Sequence, residues 1–343
     1  MKTAVGMRTV KEKIRALLSG REHRMVLALF AVVLMTVPLV AGPYGVIVMV
    51  DVGLYSIVTM GLILLMGFAG QISLGQGVFF GLGAYMSGII TTRCGLSPWL
   101  VLLVAAVAAG AVAIVVGRAL VRLRGLIVAG VTLALNLVFC SLVVSLRDLT
   151  GGATGLPLIP RLPLGGFAPS NTLFSYYVVW IVAILLLVFS LNLVNSRTGR
   201  ALKSVNLLAG GSEDTAQVLG VDIIRYKVQV FAVGAIYASI AGSLYAHYTG
   251  CIEPGAFGVH FSVLVAIMAI IGGMTSPWGA FLGAGLIVSV NEALREVMPA
   301  VVGGSTGAYE LIAYGSILVA TLLFLPQGLM SIWRRLQPQE RFR

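Results

Sequence analysis

Residues able to carry out catalysis are few in this sequence, and their spacing fits no catalytic arrangement. His23, His247 and His260 lie far apart and lack the short spacing of metal-ligand pairs. The three cysteines are equally scattered and form no disulfide or redox motif. The sequence also lacks a phosphate-binding loop with its lysine. We therefore expect no catalytic residue, no metal site and no cofactor bound by this chain.

Residues 67–85 combine glycines with polar side chains inside an otherwise apolar stretch, and they are the clearest candidate site. Small residues let helices approach closely, and a Gly-rich polar interruption indicates a discontinuous helix of the kind that lines transport paths. Helix packing alone is the other interpretation of these glycines. The residues we predict to line a translocation path are Gln71, Ser73, Gly75 and Gln76 of this segment, together with Asn136.

Asp51 is an acid inside a predicted membrane span. A charge at that depth is costly, and ion-coupled transporters keep such charges to bind or relay the driving ion. Glu292, Arg295 and Glu296 lie at a helix end, where their charges can reach the interface. One or two acids suffice for a proton, so an ion-coupled transporter that uses Asp51 stays an alternative.

The amino-acid composition indicates which kind of protein contains these candidate residues. Of the 343 residues, 59% are hydrophobic and only 10% are charged, whereas a soluble domain carries about 25% charged residues. This composition excludes a disordered chain, a coiled coil and a collagen, and it argues strongly against a soluble multidomain enzyme. The sequence therefore predicts an all-α polytopic membrane protein.

Apolar runs of about 20 residues mark the membrane-spanning helices. A longer apolar stretch at residues 260–297 is interrupted at residues 271–279, which favours two helices there and gives eight to ten spans in all. Residues 67–77 and 271–279 are the predicted broken or re-entrant segments. The run at residues 25–41 is interpreted as a retained first span, with a signal peptide as the alternative. The other candidate spans are residues 46–66, 76–92, 98–117, 125–146, 172–194, 228–247 and 308–325.

The net charge of +11 is explained by orientation in the membrane and needs no nucleic acid, because Lys and Arg concentrate on the cytoplasmic side. With both termini cytoplasmic, only Arg93, Arg147, Arg161 and Arg295 fall on the outer side. The predicted organisation is a basic amphipathic cytoplasmic tail (1–24), a transmembrane permease domain (25–330) and a basic cytoplasmic C-terminal tail (331–343). Within that domain, residues 147–171 form an outer loop and residues 195–227 a cytoplasmic loop.

Both loops carry candidate functional residues. Turn residues predict a compact structure for the outer loop, in which we single out Thr150, Gly151, Gly152 and Gly155. Within the inner loop, residues 212–220 have the pattern of a short amphipathic helix that ends at a glycine. Such a helix on the cytoplasmic face is a docking element for a soluble partner, and a plain connector is the alternative.

Seven segments in order resemble the permease subunits of branched-chain amino acid ABC transporters, of the LivM type. They are GLILLMGFAGQISLGQG at 61–77, LRG at 123–125 with VTL at 131–133, LTGGATG at 149–155, SRTGRAL at 196–202, AHY at 246–248, GGMTSPWG at 272–279 and PQGL at 326–329. The resemblance implies an ABC importer permease fold and a coupling helix that contacts an ATPase. It places that contact on Glu213, Asp214, Thr215, Ala216, Gln217 and Gly220, with Thr215 in place of the family's alanine and an unusual segment at 206–211.

The resemblance also implies a function and its partners. The expected function is ATP-driven import of branched-chain amino acids across the bilayer of a bacterial-type cytoplasmic membrane. A second permease subunit, two ABC ATPase subunits and an extracytoplasmic substrate-binding protein are the expected partners. ATP and Mg²⁺ would then be bound by the ATPases. Import of urea or a short amide stays open, because Gln71, Ser73, Gln76 and Asn136 would suit those solutes too, and a channel is a further alternative.

Overall fold

A computed structural model describes residues 42–121, 123, 125–162, 172–205 and 222–302, with further single residues and short pieces between 30 and 38 and between 315 and 330. Both predicted tails and most of the predicted spans at 25–41 and 308–325 lie outside the described residues. By its internal contacts the chain separates into two units, residues 1–47 and 48–343. In the first unit, residues 30, 32, 34–38 and 42–47 are described, and all of them are helical.

The described residues fold into helices joined by short turns, which confirms the predicted all-α class. Within the described residues, six segments are long and apolar enough to cross a membrane. The helix Gln76–Cys94 is more polar because it carries the glycine-rich segment, and Gly279–Val302 carries Glu292, Arg295 and Glu296. The described helices of nine or more residues are α1 Gly42–Ile63, α2 Gln76–Cys94, α3 Pro98–Leu120, α4 Leu126–Ser145, α5 Thr172–Asn195, α6 Arg197–Val205, α7 Ile223–Thr249, α8 Val259–Gly272 and α9 Gly279–Val302.

Helix α7 lies in the interior of the bundle, whereas α4 and α5 lie at its periphery. In the most apolar part of α7, 72% of the residues are buried, against 28% in α4 and 33% in α5. Helix α3 leaves an apolar face uncovered, on which Val107 and Val115 are 72% and 69% exposed. An apolar face of this kind suits lipid or another apolar surface.

Two glycines let α2 and α7 pack backbone against backbone. A Cβ atom on Gly83 would lie 2.1 Å from the carbonyl oxygen of Ser239, and one on Gly242 would lie 1.9 Å from that of Phe80. The hydroxyl of Ser243 donates a hydrogen bond of 3.0 Å to the Gly83 carbonyl across the same contact. Small residues thus provide the close approach that van der Waals packing needs in a membrane.

Both predicted interruptions are present. Helix α1 ends in a π-helical turn, Leu64–Phe68, and residues 70–75 are non-helical before α2 begins. Residues 273–278 separate α8 from α9. Each interruption contains a glycine with positive φ, Gly70 at 66° and Gly273 at 106°, a conformation that side chains disfavour. We call residues 69–75 the first break and residues 273–278 the second break.

The two ends of the bundle differ in their connections. At one end, here called the loop end, the Arg93 guanidinium donates to the carbonyl oxygen of Asp148, and Leu156 forms an antiparallel bridge with Ile252. At the other, here called the Arg118 end, Arg118 lines an open groove with Leu193, Thr198, Asp222 and Arg225. Residues predicted to be outer therefore cluster at the loop end, apart from those predicted to be cytoplasmic.

Candidate functional site

The three polar residues predicted from the glycine-rich segment are buried at the first break. Gln71, Ser73 and Gln76 are 7%, 1% and 3% exposed. The backbone changes direction here because the π-helical turn of α1 ends and Gly70 takes a positive φ. Residues 70–75 are thus irregular backbone in which Gln71, Ser73 and Gly75 are buried, whereas Gly70 and Ile72 are exposed. Irregular backbone is tolerated at membrane depth where protein or a water-filled cavity covers it.

Asn136 is brought to the same place by a hydrogen-bond network that joins three helices. Its Nδ2 donates to the Ser262 hydroxyl at 2.7 Å and to the Gly258 carbonyl at 3.3 Å. The Ser262 Oγ also accepts from the backbone N–H of Gly77 at 2.9 Å. The first backbone amides of a helix have no hydrogen-bond acceptor within that helix. Ser262 provides an acceptor for one of these amides in α2. Sequence reasoning missed Ser262, since nothing local marks it.

Helix α4 also holds the first break through Thr132. The backbone N–H of Leu74 donates to the Thr132 Oγ1 at 2.9 Å. Gly75 lies against the same residue, because a Cβ atom on Gly75 would be 3.2 Å from the Thr132 Cβ. Gly75 is therefore a packing position within the break, whatever its role in transport.

Gln76 carries a polar atom that the described residues leave unsatisfied. Its Oε1 is buried and has no hydrogen-bond partner there. Its Nε2 lies close to Gly234, where an added Cβ would be 3.6 Å away, and the backbones of Gly234 and Gly61 meet at this point. A buried acceptor without a donor costs free energy, so Gln76, the first residue of α2 after the break, is well placed to accept a bond from water or a solute.

The predicted outer-loop residues form a compact anchored turn at the loop end. Thr150 donates to the Val143 carbonyl at 2.6 Å and accepts from the Gly152 N–H at 3.2 Å. Gly151 and Gly155 have φ of 79° and 78°, so both take conformations that favour glycine. The loop is then tied to the chain after α7 by the Leu156–Ile252 bridge.

His247 fastens this loop to the bundle, a role that the sequence did not indicate. Its Nδ1 lies 2.6 Å from the Pro160 carbonyl oxygen, and its Nε2 lies 2.8 Å from the Ser87 hydroxyl. Because a carbonyl only accepts, Nδ1 carries a proton, and in the neutral ring Nε2 accepts from Ser87. The imidazole thus connects α7 with α2 and with the outer loop.

The residues predicted to contact an ATPase, 213–217 and 220, lie outside the described residues, but both ends of their loop are described. Gly199 of α6 packs against the end of α5, where an added Cβ would lie 2.2 Å from the Val194 carbonyl oxygen. The Ser196 Oγ accepts from the Gly199 N–H at 3.3 Å. At the far end of the loop, Asp222 caps α7 by accepting from the Arg225 N–H at 3.1 Å.

Asp51 is not part of the first break. It precedes Gly67 by 16 residues along α1 and the π-helical turn that continues it, which corresponds to roughly 24 Å along a helix. It lies instead in a cavity near the loop end, with Asn291, Glu292 and Arg295 of α9. The intramembrane acid and the predicted path residues therefore form two separate polar regions.

The family and the relatives that match this chain are transport permeases. The family described as a branched-chain amino acid transport system permease component matches residues 44–325. The high-affinity branched-chain amino acid transport system permease protein LivM of Escherichia coli is 29% identical over 304 residues, which is 82% of this chain and 68% of that protein. LivH of Salmonella typhimurium, a permease protein of the same kind of system, is 31% identical over 157 residues, which is 45% of this chain and 46% of LivH.

A more distant relative is the probable ABC transporter permease protein YphD of Escherichia coli, 28% identical over 145 residues, 41% of this chain and 42% of that protein. No solved structure matches the chain significantly.

Proposed function

The chain belongs to the family of branched-chain amino acid transport permeases, and from this premise we propose that it forms part of the translocation path of an ATP-driven importer of branched-chain amino acids. It is a multi-pass membrane protein, and its relatives are transport permease proteins. In the proposed assembly this chain pairs with a second permease, two ATPases bind and hydrolyse ATP with Mg²⁺, and an external protein delivers the substrate. The path residues would be those predicted from the sequence.

The contact between the two breaks carries this proposal. A Cβ atom on Gly67, next to the first break, would lie 1.9 Å from the carbonyl oxygen of Met274 in the second. Discontinuous helices that face each other inside a bundle are typical of transport proteins, in which they form the site and its gate. Where two interrupted helices are in contact, their segments can shift relative to each other without the loss of backbone hydrogen bonds inside a continuous helix.

The described ends of the loop at 206–221 support the proposed coupling to an ATPase. The tight turn at Gly199 attaches α6 to α5, and the Tyr237 hydroxyl of α7 lies 2.8 Å from the Ser190 hydroxyl of α5. Tyr237 also donates to the Leu186 carbonyl at 2.9 Å. A displacement of the loop by ATPase closure would therefore move α5 and α7 together.

The proposal includes an orientation, with the loop end outside and the Arg118 end in the cytoplasm. Arg118, Arg200 and Arg225 are exposed at the Arg118 end, and basic residues concentrate on the cytoplasmic side. The anchored outer loop would then face the substrate-binding protein. A rigid loop suits this role because a preorganised surface loses little conformational entropy on binding.

Purification of the tagged chain from its native membrane tests the assembly, and reconstitution tests the function. We expect a second permease and an ATPase to copurify, and proteoliposomes of this complex with its binding protein to accumulate radiolabelled leucine only when ATP is enclosed on the ATPase side. Absence of both partners would contradict the importer. Uptake of urea in place of leucine would favour the first alternative, and uptake driven by a proton gradient without ATP would favour ion coupling through Asp51.

A further inference from the structure

A small cavity near the loop end has two kinds of wall. It has a volume of about 190 Å³ and is bounded by α1, α2, α7, α8 and α9 and by the turn Pro254–Phe257. Pockets for drug-sized ligands measure roughly 300–1,000 Å³, so this cavity suits a smaller solute. It lies within one chain, and it is separate from the break residues described above.

The polar wall contains groups of both charges. Arg295 and Glu292 pair at 3.5 Å across one turn of α9, which leaves other guanidinium N–H groups of Arg295 able to donate. Asp51 faces them from α1, and the described residues make no hydrogen bond or ion pair with its carboxylate. The buried Oδ1 of Asn291 likewise has no hydrogen-bond partner among them. The Asp51 carboxylate and the Asn291 Oδ1 are thus two acceptors available for an ammonium group. The Arg295 guanidinium in the same cavity can donate to a carboxylate.

The other lining residues form an apolar and aromatic wall. The rings of Phe80 and Phe261 lie 4.6 Å apart, with Tyr245 5.5 Å from Phe80 and Tyr55 5.7 Å from Phe261. Leu54 and Val288 complete this surface. Such a wall lowers the free energy of an aliphatic side chain by removing it from water.

We propose that this cavity binds a free amino acid with an aliphatic side chain, with its ammonium group on Asp51 and Asn291 and its carboxylate on Arg295. An inorganic cation would make no favourable contact with Arg295 or with the apolar side chains of the aromatic wall. Urea is uncharged, so it would leave Asp51 and Arg295 without charged partners. A zwitterion with an apolar side chain uses all three features together. The inference rests on the proposed import function and assigns its substrate a first site near the outer surface.

Cysteine protection tests the site directly. In the full chain reconstituted in lipid nanodiscs, with Cys94, Cys140 and Cys251 replaced by serine, the variant Val288→Cys places a thiol in the cavity wall. The labelling rate with a small water-soluble methanethiosulfonate should fall about tenfold when L-leucine is present at ~10 times its dissociation constant. Ala256→Cys is a second reporter in the same cavity, and Thr249→Cys, exposed nearby, is the matched control that should not be protected.

Analogues and substitutions separate the charge requirements. Isoamylamine lacks the carboxylate and 4-methylpentanoate lacks the ammonium group, so both should protect far less than leucine. Asp51→Asn and Arg295→Gln should each abolish protection by leucine. Equal protection by urea or sodium chloride, no protection by leucine at either reporter, or full protection in both charge variants would overturn the proposal.

The test is independent of the assay for import. If the assembled transporter imports leucine while leucine protects neither reporter, the site is wrong and the proposed function stands. If leucine protects both reporters while the assembly imports no amino acid, the site stands and the proposed function is wrong.

Discussion

Gly67 at the end of α1 and Met274 in the second break are in direct backbone contact, because even one methyl group on Gly67 would lie 1.9 Å from the Met274 carbonyl oxygen. The second break is also joined to a more distant part of the chain, since the Leu329 N–H donates to the Ile271 carbonyl at 2.8 Å, two residues before that break begins. The backbone at Gly67 and the second break are therefore packed too closely to admit a side chain between them.

Gly67→Ala should abolish transport and lower the thermal stability of the purified protein. The added methyl group meets backbone atoms, which cannot rotate away as a side chain can, and such overpacking costs about 1–3 kcal/mol or more. Gly285→Ala on α9 is the matched control, because no atom lies within 4 Å of its added methyl group. Uptake assays and melting temperatures of both variants measure the difference. Equal behaviour of the two variants would show that the contact between the breaks is not essential.

Gly83→Ala should destabilise the pair α2 and α7. Its methyl group would lie 2.1 Å from the Ser239 carbonyl oxygen, so the helices would have to separate at a cost of about 1–3 kcal/mol. Gly130→Ala on α4 has no atom within 4 Å of the new methyl group and should be neutral or slightly stabilising, because alanine favours the helix. The two variants are compared by their melting temperatures in detergent. An unchanged melting temperature for Gly83→Ala would contradict the close backbone contact between α2 and α7.

Ser262→Ala should lower the free energy of unfolding by about 1–3 kcal/mol, because it leaves the Gly77 N–H and one Asn136 donor buried without an acceptor. Ser145→Ala removes an exposed hydroxyl that donates to the Ser141 carbonyl of its own helix, so its effect should stay within about 0.5 kcal/mol. Thermal denaturation of both variants provides the comparison. A loss in Ser145→Ala as large as that in Ser262→Ala would mean that the network contributes nothing specific.

Native cysteines report the orientation. Cys94 and Cys251 are free and exposed at the loop end, so a membrane-impermeant maleimide added to intact cells should label both if that end faces outward. The variant Asn195→Cys, exposed at the Arg118 end in a background without native cysteines, should react only after the cells are opened. The reverse pattern of labelling would invert the proposed topology.

Gly220→Pro should uncouple ATP hydrolysis from transport while the assembly and substrate delivery stay intact. Gly220 ends the predicted coupling helix, and proline restricts the backbone there and before it. Gly211→Pro, placed before that helix in the unusual segment at 206–211, is the control and should retain more transport. Uptake and ATPase activity are measured on the same proteoliposomes, and normal uptake by the Gly220 variant would disprove the coupling role.

Much of the fold was accessible from local sequence patterns. The predicted span at 98–117 corresponds to α3, Pro98–Leu120, and that at 172–194 corresponds to α5, Thr172–Asn195. The predicted interruptions at 67–77 and 271–279 contain the two breaks. These features depend on runs of apolar residues and on glycine, both of which act on the backbone locally. The start of α7 was missed by five residues, because Asp222 caps the helix within a polar segment.

The candidate site was predictable only in part. Gln71, Ser73 and Gln76 are buried at or beside the first break, and Ser262 joins Asn136 to Gly77 just after it, but their role in a path stays a prediction. Their hydrogen-bond partners, Ser262 above all, could not be identified from the sequence. Ser262 belongs to a helix that is apolar on every side. Such a helix has no polar face from which the packing surface can be inferred.

The sequence by itself determined that this is an all-α membrane permease, where its helices lie and where they are interrupted. Those properties follow from the transfer of apolar side chains out of water and from the conformations that glycine permits. Only the tertiary structure decided that the two breaks meet at Gly67, that Asn136 finds Ser262 across 126 positions of sequence, and that Asp51 and Arg295 share a cavity. Contacts between distant residues depend on how helices pack, and packing is a property of the whole bundle that no local pattern contains.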